Sequence, residues 1–585
     1  MTLGTRDLPA HGIDSAGWFP GPRAEHAAWL RDALARSLDT WSAWRRDAGA
    51  GDPSVWPDGQ LPDDQHEQID AALQTLARRL SGETATFSPH YAGHMVSDAS
   101  MPALLGHVLA TLHNPNNTSK EVSRVGTQIE AEAIAMLARM IGFDPAHARG
   151  HMTSCGTIAN FEAVWRARFR LDHWLSLALW LAETQGERLD VFAAAHMGWP
   201  RYHTLRERHA PPEDALRAAS AVAGNPADTF RRISRASGRE YLGPVVMVPE
   251  NKHFSWRKAA NVFGLGEEAF RGVGLDAQGR LCLKALEHEV EKATAQGRPV
   301  LAAVSVAGAT ETGNFDPVDG VCDLMERWRR ERGWRIWHHV DAAYGGFFAS
   351  TLGAGATALS DVAASALAAI RRVDSITIDP HKLGYTPYAC GAFLVRDAQR
   401  YAVSSFAAPY LERAHVSDDL WSATLEGSRT SAGAAAVWMT GTTIGFTPDG
   451  FGRILENAVE ARRAIMHAAM KACPDLRLLD PCDTNIACFT VARTGEPLSV
   501  VNAGSEALYE ASVQGGRFTL SKTHFPLSSH AGQITRHVEQ WGGDFDADGL
   551  TVLRCVFMNP YLERETMRAH VVEDMVTLLS GAAPC

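Results

Sequence analysis

The stretch SITIDPHKLGYTPYACGAF, residues 375–393, is the one whose reading decides the fold. Its first four residues form a short β-branched run of the kind that fills a strand buried on both faces. The run breaks at Asp379-Pro380, and glycine, proline and tyrosine then mark a loop. A long cation, Lys382, and an imidazole, His381, therefore stand where a buried strand surfaces. A solvated lysine and a nucleophile at the mouth of a site both fit that position. The rest of the chain decides between them.

Three more continuous apolar runs lie upstream: VVMV (245–248), LAAVSV (301–306) and RIWHHV (335–340). Helical stretches separate them, which predicts a buried, mostly parallel sheet in an α/β domain. In such sheets ligands bind beyond the carboxyl ends of the strands. VVMVPENKH leads to His253, LAAVSVAGATETG to Thr310 and Thr312, RIWHHVDAAYGG to Asp341 and two alanines, and SITIDPHK to His381 and Lys382. A single strand-end aspartate is commonly a helix cap. Four chemical types on one sheet edge are not explained by capping.

Each type meets a distinct need. A lysine amine attacks an aldehyde when burial or a neighbouring cation, here His381, lowers its pKa. Asp341 can keep a ring nitrogen protonated, Ala342 and Ala343 leave room for a flat ring, and His253 can stack on its other face. These needs describe pyridoxal phosphate. A seat for the phosphate lies in TSCGTIANFEAVWRARF (153–169), where Ile158, Phe161, Trp165 and Phe169 make an apolar helix face. Ser154-Cys155-Gly156-Thr157 falls at its N-terminal end, where free N–H groups and the helix dipole attract an anion. Taken alone, that turn reads as an ordinary N-cap; beside the other four residues it reads as a phosphate seat.

The bulk numbers narrow the class. The chain has 585 residues, 45% hydrophobic and 21% charged, with a net charge of −11. Such a chain buries a sizeable core, and its charge gives no basic footprint for nucleic acid. The longest strongly apolar run, WLSLALWLA (174–182), is too short to span a bilayer and predicts a buried helix. The N-terminus lacks the basic and apolar segments of a signal peptide, and nine cysteines show no CxxC pair. A soluble cytoplasmic protein without a metal site is expected. GLGEEA (264–269) follows a helical pattern rather than a strand, so Gly264 reads as a helix C-cap and not as part of a dinucleotide fingerprint. His338 and His339 point to opposite faces of a strand and cannot share an ion.

The expected organisation is an N-terminal helical segment (1–117), a large α/β domain (118–440) with a helical insertion at about 170–243, and a smaller α+β domain (441–585). In TSKEVSRVGTQIEAEAIAMLARMIGF, from 118, Val122, Val125, Ile129, Ala133, Met136 and Met140 recur at helical spacing, predicting one core-facing stripe.

IWHHVDAAYGG, ITIDPHKLGYTPY and VPENKHFSWRKAANVFGLG resemble the group II pyridoxal-phosphate-dependent amino-acid decarboxylases, over roughly residues 88–570. PHYAGHMVSD, HNPNN, SSFAAPYLE and LEGSRTSAGAAAVW are similar to segments of the bacterial tyrosine decarboxylases. The resemblance implies fold type I, the aspartate aminotransferase-like architecture with a mostly parallel seven-stranded sheet. It implies that Lys382 carries the cofactor as a Schiff base, that Asp341 pairs with the pyridine nitrogen, and that His253 stacks on the ring. Thr310 would contact cofactor and substrate, Gly156 and Thr157 would hold the phosphate, and Ala343 and His381 would adjoin the cofactor. Ser428 would reach the phosphate of a neighbouring subunit, implying a homodimer with shared sites. Arg554 would grip the substrate α-carboxylate, His94 and Tyr388 would meet the substrate, and Tyr410 on a mobile loop would help protonate Cα.

The implied activity is decarboxylation of an L-amino acid to its amine, with tyrosine or another aromatic amino acid as the expected substrate. The chain departs from the family at Ser123-Arg124-Val125-Gly126-Thr127, where a Pro-Val-Thr run usually precedes the helix glutamate, here Glu130, and at Cys555. A branched aliphatic substrate is therefore the alternative. Oxidative decarboxylation to an aldehyde is another, in relatives that often carry phenylalanine at the loop position held here by Tyr410. A carbon–carbon lyase, a transaminase and an inactive cofactor-binding subunit are weaker readings.

Overall fold

Seven strands form the larger sheet: β1 (Arg149–Thr153), β2 (Val245–Pro249), β3 (Phe270–Val273), β4 (Val300–Val306), β5 (Trp337–Asp341), β6 (Ser375–Ile378) and β7 (Gly391–Val395). Their order is β1-β7-β6-β5-β4-β2-β3. The pairs from β3 through β6 are parallel, and β7 runs antiparallel to both β6 and β1. This is the mostly parallel sheet the apolar runs predict. Every residue of β2, β4, β5, β6 and β7 is buried, as a sheet covered on both faces requires. The computed structural model describes residues 14–56, 62–353, 358–404, 420–515 and 517–582.

Helices α1 (Ala27–Ala48), α2 (Asp63–Leu80) and α3 (Met101–His113) come first in the chain. Helix α4 (Arg124–Met140) leads into β1, and α5 (Gly156–Gln185) packs on β4, β6 and β7. The apolar run 174–182 lies within α5, with Trp174, Leu175, Leu177, Leu179 and Ala182 buried. Four short helices follow between residues 191 and 237, so the chain between α5 and β2 is helical. Gly264 has a φ of +62° just after the helix Ser255–Val262, the C-terminal role its sequence predicts.

A second, antiparallel sheet is ordered β10-β11-β9-β8, from β8 (Leu476–Leu478), β9 (Ile486–Val491), β10 (Ser521–Pro526) and β11 (Gly549–Val556). Among the described residues no helix is long and apolar enough to cross a membrane.

One expectation fails at α4. The helix starts at Arg124, so Val122 lies before it, and Val122 and Val125 are 60% and 63% exposed. Of the expected stripe Ala133 and Met140 are buried and Ile129 packs against the core, and Ile134, Leu137 and Ala138 complete the core face. The N-terminal end of the stripe borders an outer apolar groove. The departure at 123–127 is a local knot: Ser123 Oγ donates to Asn117 Oδ1 at 2.8 Å, and Asn117 Nδ2 donates to the Gly126 carbonyl and Glu130 Oε2 at 3.1 and 3.0 Å. A Cβ on Gly126 would collide with Ser123 Oγ and Asn117 Oδ1, which accounts for glycine there. Arg124 points outward and is exposed.

Candidate active site

The strand ends converge. Asp341 closes β5, in register with Val306 of β4 and Thr377 of β6. Beyond them lies a cavity of about 180 Å³. Its walls bring together Gly156, Thr157, His253, Thr310, Asp341, Ala343, His381 and Lys382, eight of the residues expected to bind the cofactor. Cys155, Asn160, Val306, Gly308, Tyr344 and Asp379 complete the lining.

At one end, β1 stops at Thr153 and α5 begins at Gly156, which presents a helix N-terminus to the cavity. A Cβ on Gly156 would lie 2.7 Å from Asp379 Oδ2 and 3.1 Å from the Ala343 Cβ. Only glycine leaves that space free. The Ser154 N–H donates to Glu426 Oε2 at 3.0 Å, tying the segment after residue 420 to this turn.

At the opposite end, Asp341 Oδ2 accepts from Asn160 Nδ2 at 2.8 Å and from Trp256 Nε1 at 3.2 Å, while Oδ1 accepts the Ala343 N–H at 3.3 Å. The carboxylate is 5% exposed yet fully oriented. His253 accepts the Ser255 N–H at Nδ1, 3.3 Å away, and burial holds its pKa below the usual histidine value, leaving a neutral ring.

Lys382 Nζ lies 3.2 Å from Asp379 Oδ2, and Asp379 Oδ1 is buried with no hydrogen-bond partner. His381 is not the neighbouring cation expected from its place in the sequence. Burial lowers its pKa, its Nδ1 accepts the Cys390 N–H at 3.1 Å, and its ring stacks on Tyr388 at 4.1 Å. The charged neighbour of the lysine is a carboxylate.

The substrate-side residues stand apart from this lining. Arg554, on β11, donates to the Thr310 carbonyl at 2.8 Å, the Glu311 carbonyl at 3.1 Å and Ser521 Oγ at 3.2 Å. It thus braces the loop that carries Thr310. His94 is exposed, with its pKa lowered by burial of part of its ring and by the Arg554 charge. Tyr388 is 55% exposed, and its hydroxyl is pushed up to about 12 by burial. Ser428 is exposed and its Oγ accepts from Asn116 Nδ2 at 3.1 Å. Tyr410 lies outside the described residues. His338 and His339 face opposite ways, His338 toward Ser305 and His339 toward Asn160 and Ser375.

The donor set fits pyridoxal phosphate. A helix N-terminus with a glycine-shaped space suits a phosphate, an oriented buried carboxylate suits a ring nitrogen, and a lysine between them suits an aldehyde. The orphaned Asp379 Oδ1 marks a polar wall facing the same space. Sequence reasoning passed over Asp379, seen there only as a strand breaker, and Asn160, an amide in an apolar helix pattern. Spacing was the available signal for Asn160, which stands one turn after Gly156 and so shares its helix face.

Residues 230–491 match the pyridoxal-dependent decarboxylase conserved domain. The chain is 28% identical to the L-tyrosine decarboxylase of Levilactobacillus brevis, over 94% of this chain and 93% of that protein. It is also 28% identical to the L-tyrosine decarboxylase of Enterococcus faecium, over 94% of this chain and 95% of that one. In three dimensions it resembles the tryptophan decarboxylase of Catharanthus roseus in complex with L-tryptophan. The TM-score is 0.63 over 95% of this chain and 99% of that chain, at 16% identity. That likeness bears on the architecture alone.

Proposed function

We propose that this chain, which belongs to the pyridoxal-phosphate-dependent amino-acid decarboxylases, converts an aromatic L-amino acid, tyrosine first, to its amine and CO2 as a homodimer with shared sites. One observation carries the chemistry: Lys382, Asp341, His253 and the Gly156 turn line a single cavity at the strand ends. The choice of tyrosine is supported by relatives that match this chain nearly end to end and bear that name.

When bound, the cofactor supplies a cationic ring that accepts the electron pair left as CO2 departs. In this reading the protein does the rest. Lys382 would hold the cofactor through its amine, with the Asp379 carboxylate 3.2 Å away to orient that nitrogen. Asp341, fixed by Asn160 and Trp256, holds the ring-nitrogen proton. Neutral His253 covers a ring face, Gly156 and Thr157 receive the phosphate, and Ala343 and His381 close the walls. Tyr410 delivers the proton to Cα. Thr310, held by Arg554, His94 and Tyr388 meet the substrate, with Arg554 as the cation nearest its carboxylate.

The homodimer is supported by uncovered apolar surface. Helix α2 has no buried residue, and Ile69, Leu73, Leu76 and Leu80 form one stripe along it, each more than half exposed. Elsewhere a groove of about 1500 Å³ runs past Trp29, Trp44, Val122, Val125 and Trp438. Monomers rarely leave such patches open. A second copy covering them would also bring Ser428 to its neighbour's phosphate turn. Cytoplasmic residence completes the proposal, and fractionation of cells making the full chain tests it.

A panel of the twenty amino acids, with CO2, amine and peroxide measured together, tests the activity. Tyrosine should give the highest kcat/KM with equal CO2 and amine. Preference for valine or leucine would overturn the aromatic assignment, and peroxide in step with CO2 would overturn simple decarboxylation.

A further inference from the structure

We propose that Asn160 and His339 are positioning residues for Asp341, the last links of a one-way hydrogen-bond relay from Trp337 through Ser375, His339 and Asn160 to the Asp341 carboxylate. The inference rests on Asp341 as the partner of the cofactor's ring nitrogen.

The direction of the relay follows from its two ends, an N–H that can only donate and a carboxylate that can only accept. Trp337 Nε1 can only donate, and it donates to Ser375 Oγ at 2.7 Å. Asp341 can only accept, so the Asn160 amide turns Nδ2 to it and Oδ1 to His339 Nε2. His339 Nδ1 therefore accepts the Ser375 hydroxyl at 2.8 Å. With Nδ1 accepting, the ring proton of neutral His339 sits on Nε2, which faces Asn160 Oδ1 at 3.2 Å. Thr377 Oγ1 donates to the same oxygen at 2.8 Å. Two donors on Oδ1 fix which way the amide lies, so Nδ2 must point to Asp341 Oδ2, 2.8 Å away, and to Ser255 Oγ at 3.2 Å. Every hydrogen runs toward the carboxylate.

None of these side chains is more than 5% exposed, so water cannot substitute for a missing link. Burial pushes the His339 pKa down to about 3, which keeps the ring in its one-proton form. Aligned bonds in a dry interior strengthen one another. With Trp256 Nε1 also on Oδ2, that oxygen is occupied twice, whereas Oδ1 holds only the longer Ala343 contact and remains available to the cavity. Asn160 follows Gly156 by four residues on α5, so one helix face serves both the phosphate turn and Asp341.

Cofactor binding to the apoenzyme tests this, using pyridoxal phosphate and its 1-deaza analogue, which has carbon in place of the ring nitrogen. Asn160→Leu and His339→Leu should bind pyridoxal phosphate at least about tenfold more weakly than wild type. Both should bind the deaza analogue within about threefold of wild type, because it makes no ring-nitrogen contact to lose. His339→Gln, which can still accept from Ser375 and donate to Asn160, should stay near wild type with both ligands. Asp341→Leu separates the layers of the argument. If Asp341→Leu discriminates between the two ligands but Asn160→Leu and His339→Leu do not, the relay is overturned. If Asp341→Leu does not discriminate, the ring-nitrogen pairing itself fails. Equal losses for both ligands in the relay variants would reduce these residues to core packing. Should Asn160→Leu not fold, the His339 pair carries the test.

Discussion

Lys382 Nζ lies 3.2 Å from Asp379 Oδ2, three residues back along the chain at the end of β6. The pair puts a carboxylate beside the amine proposed to hold the cofactor, where it would also receive that amine as an ammonium. Asp379→Asn keeps the shape and removes the charge. A charge-assisted hydrogen bond contributes about 1.5–3 kcal/mol, so kcat should fall about tenfold to a hundredfold while cofactor stays bound. Unchanged turnover in fully loaded Asp379→Asn would remove this carboxylate from the account.

The apolar stripe on α2 predicts assembly. Leu73→Glu with Leu76→Glu puts two charges into the proposed interface, and sedimentation should shift from dimer toward monomer. Activity should fall with it, since Ser428 then cannot reach a neighbouring site. A dimer of unchanged mass would show that another surface joins the subunits.

Tyr410 is expected to hand a proton to Cα. Tyr410→Phe should slow amine formation by about a hundredfold, the lower range of general acid catalysis. Aldehyde and peroxide should rise as oxygen reaches the unprotonated carbon. Amine formation at the wild-type rate in Tyr410→Phe would assign that proton elsewhere, His253 first.

Stability should decline on mild acidification. Burial pushes His196, His338 and His537 down to about 4 and His339 to about 3, from an ordinary value of 6.5. Below pH 6.5 the unfolded chain binds protons at these rings that the native state refuses. Native stability is therefore full above that pH and is lost as pH falls toward 4, by up to about 1.4 kcal/mol per pH unit for each ring. The melting temperature should be lower at pH 5.5 than at pH 7.5. His338→Gln, still able to bond Ser305, should narrow the difference. Equal melting temperatures at the two pH values would contradict the neutral buried rings.

The sheet and its catalytic edge were legible because continuous β-branched runs end in chemically distinct residues: His253, Thr310, Asp341 and Lys382. The short strands β1 and β3 were not, because RGHMT and FRGV carry little apolar signal and are only partly buried. Val122 and Val125 misled because an apolar residue lining an outer groove has the same spacing as one facing the core. His381 misled because adjacency in sequence says nothing of burial, and burial removes its charge. Asn160 escaped notice because its partner Asp341 lies 181 residues away, with only its spacing from Gly156 as a signal, and Asp379 because it reads first as a strand breaker. The placement of Arg554 against carbonyls of the Thr310 loop was equally beyond the sequence, being a contact between β11 of the second sheet and the loop after β4.

Borohydride reduction of the cofactor-loaded protein, followed by peptide mass mapping, addresses the central claim most directly. The account predicts a phosphopyridoxyl group on the peptide containing SITIDPHKLGY, attached at Lys382, and no label in Lys382→Ala. Label on a different lysine, or an active loaded enzyme in which Lys382 stays unmodified, would contradict it.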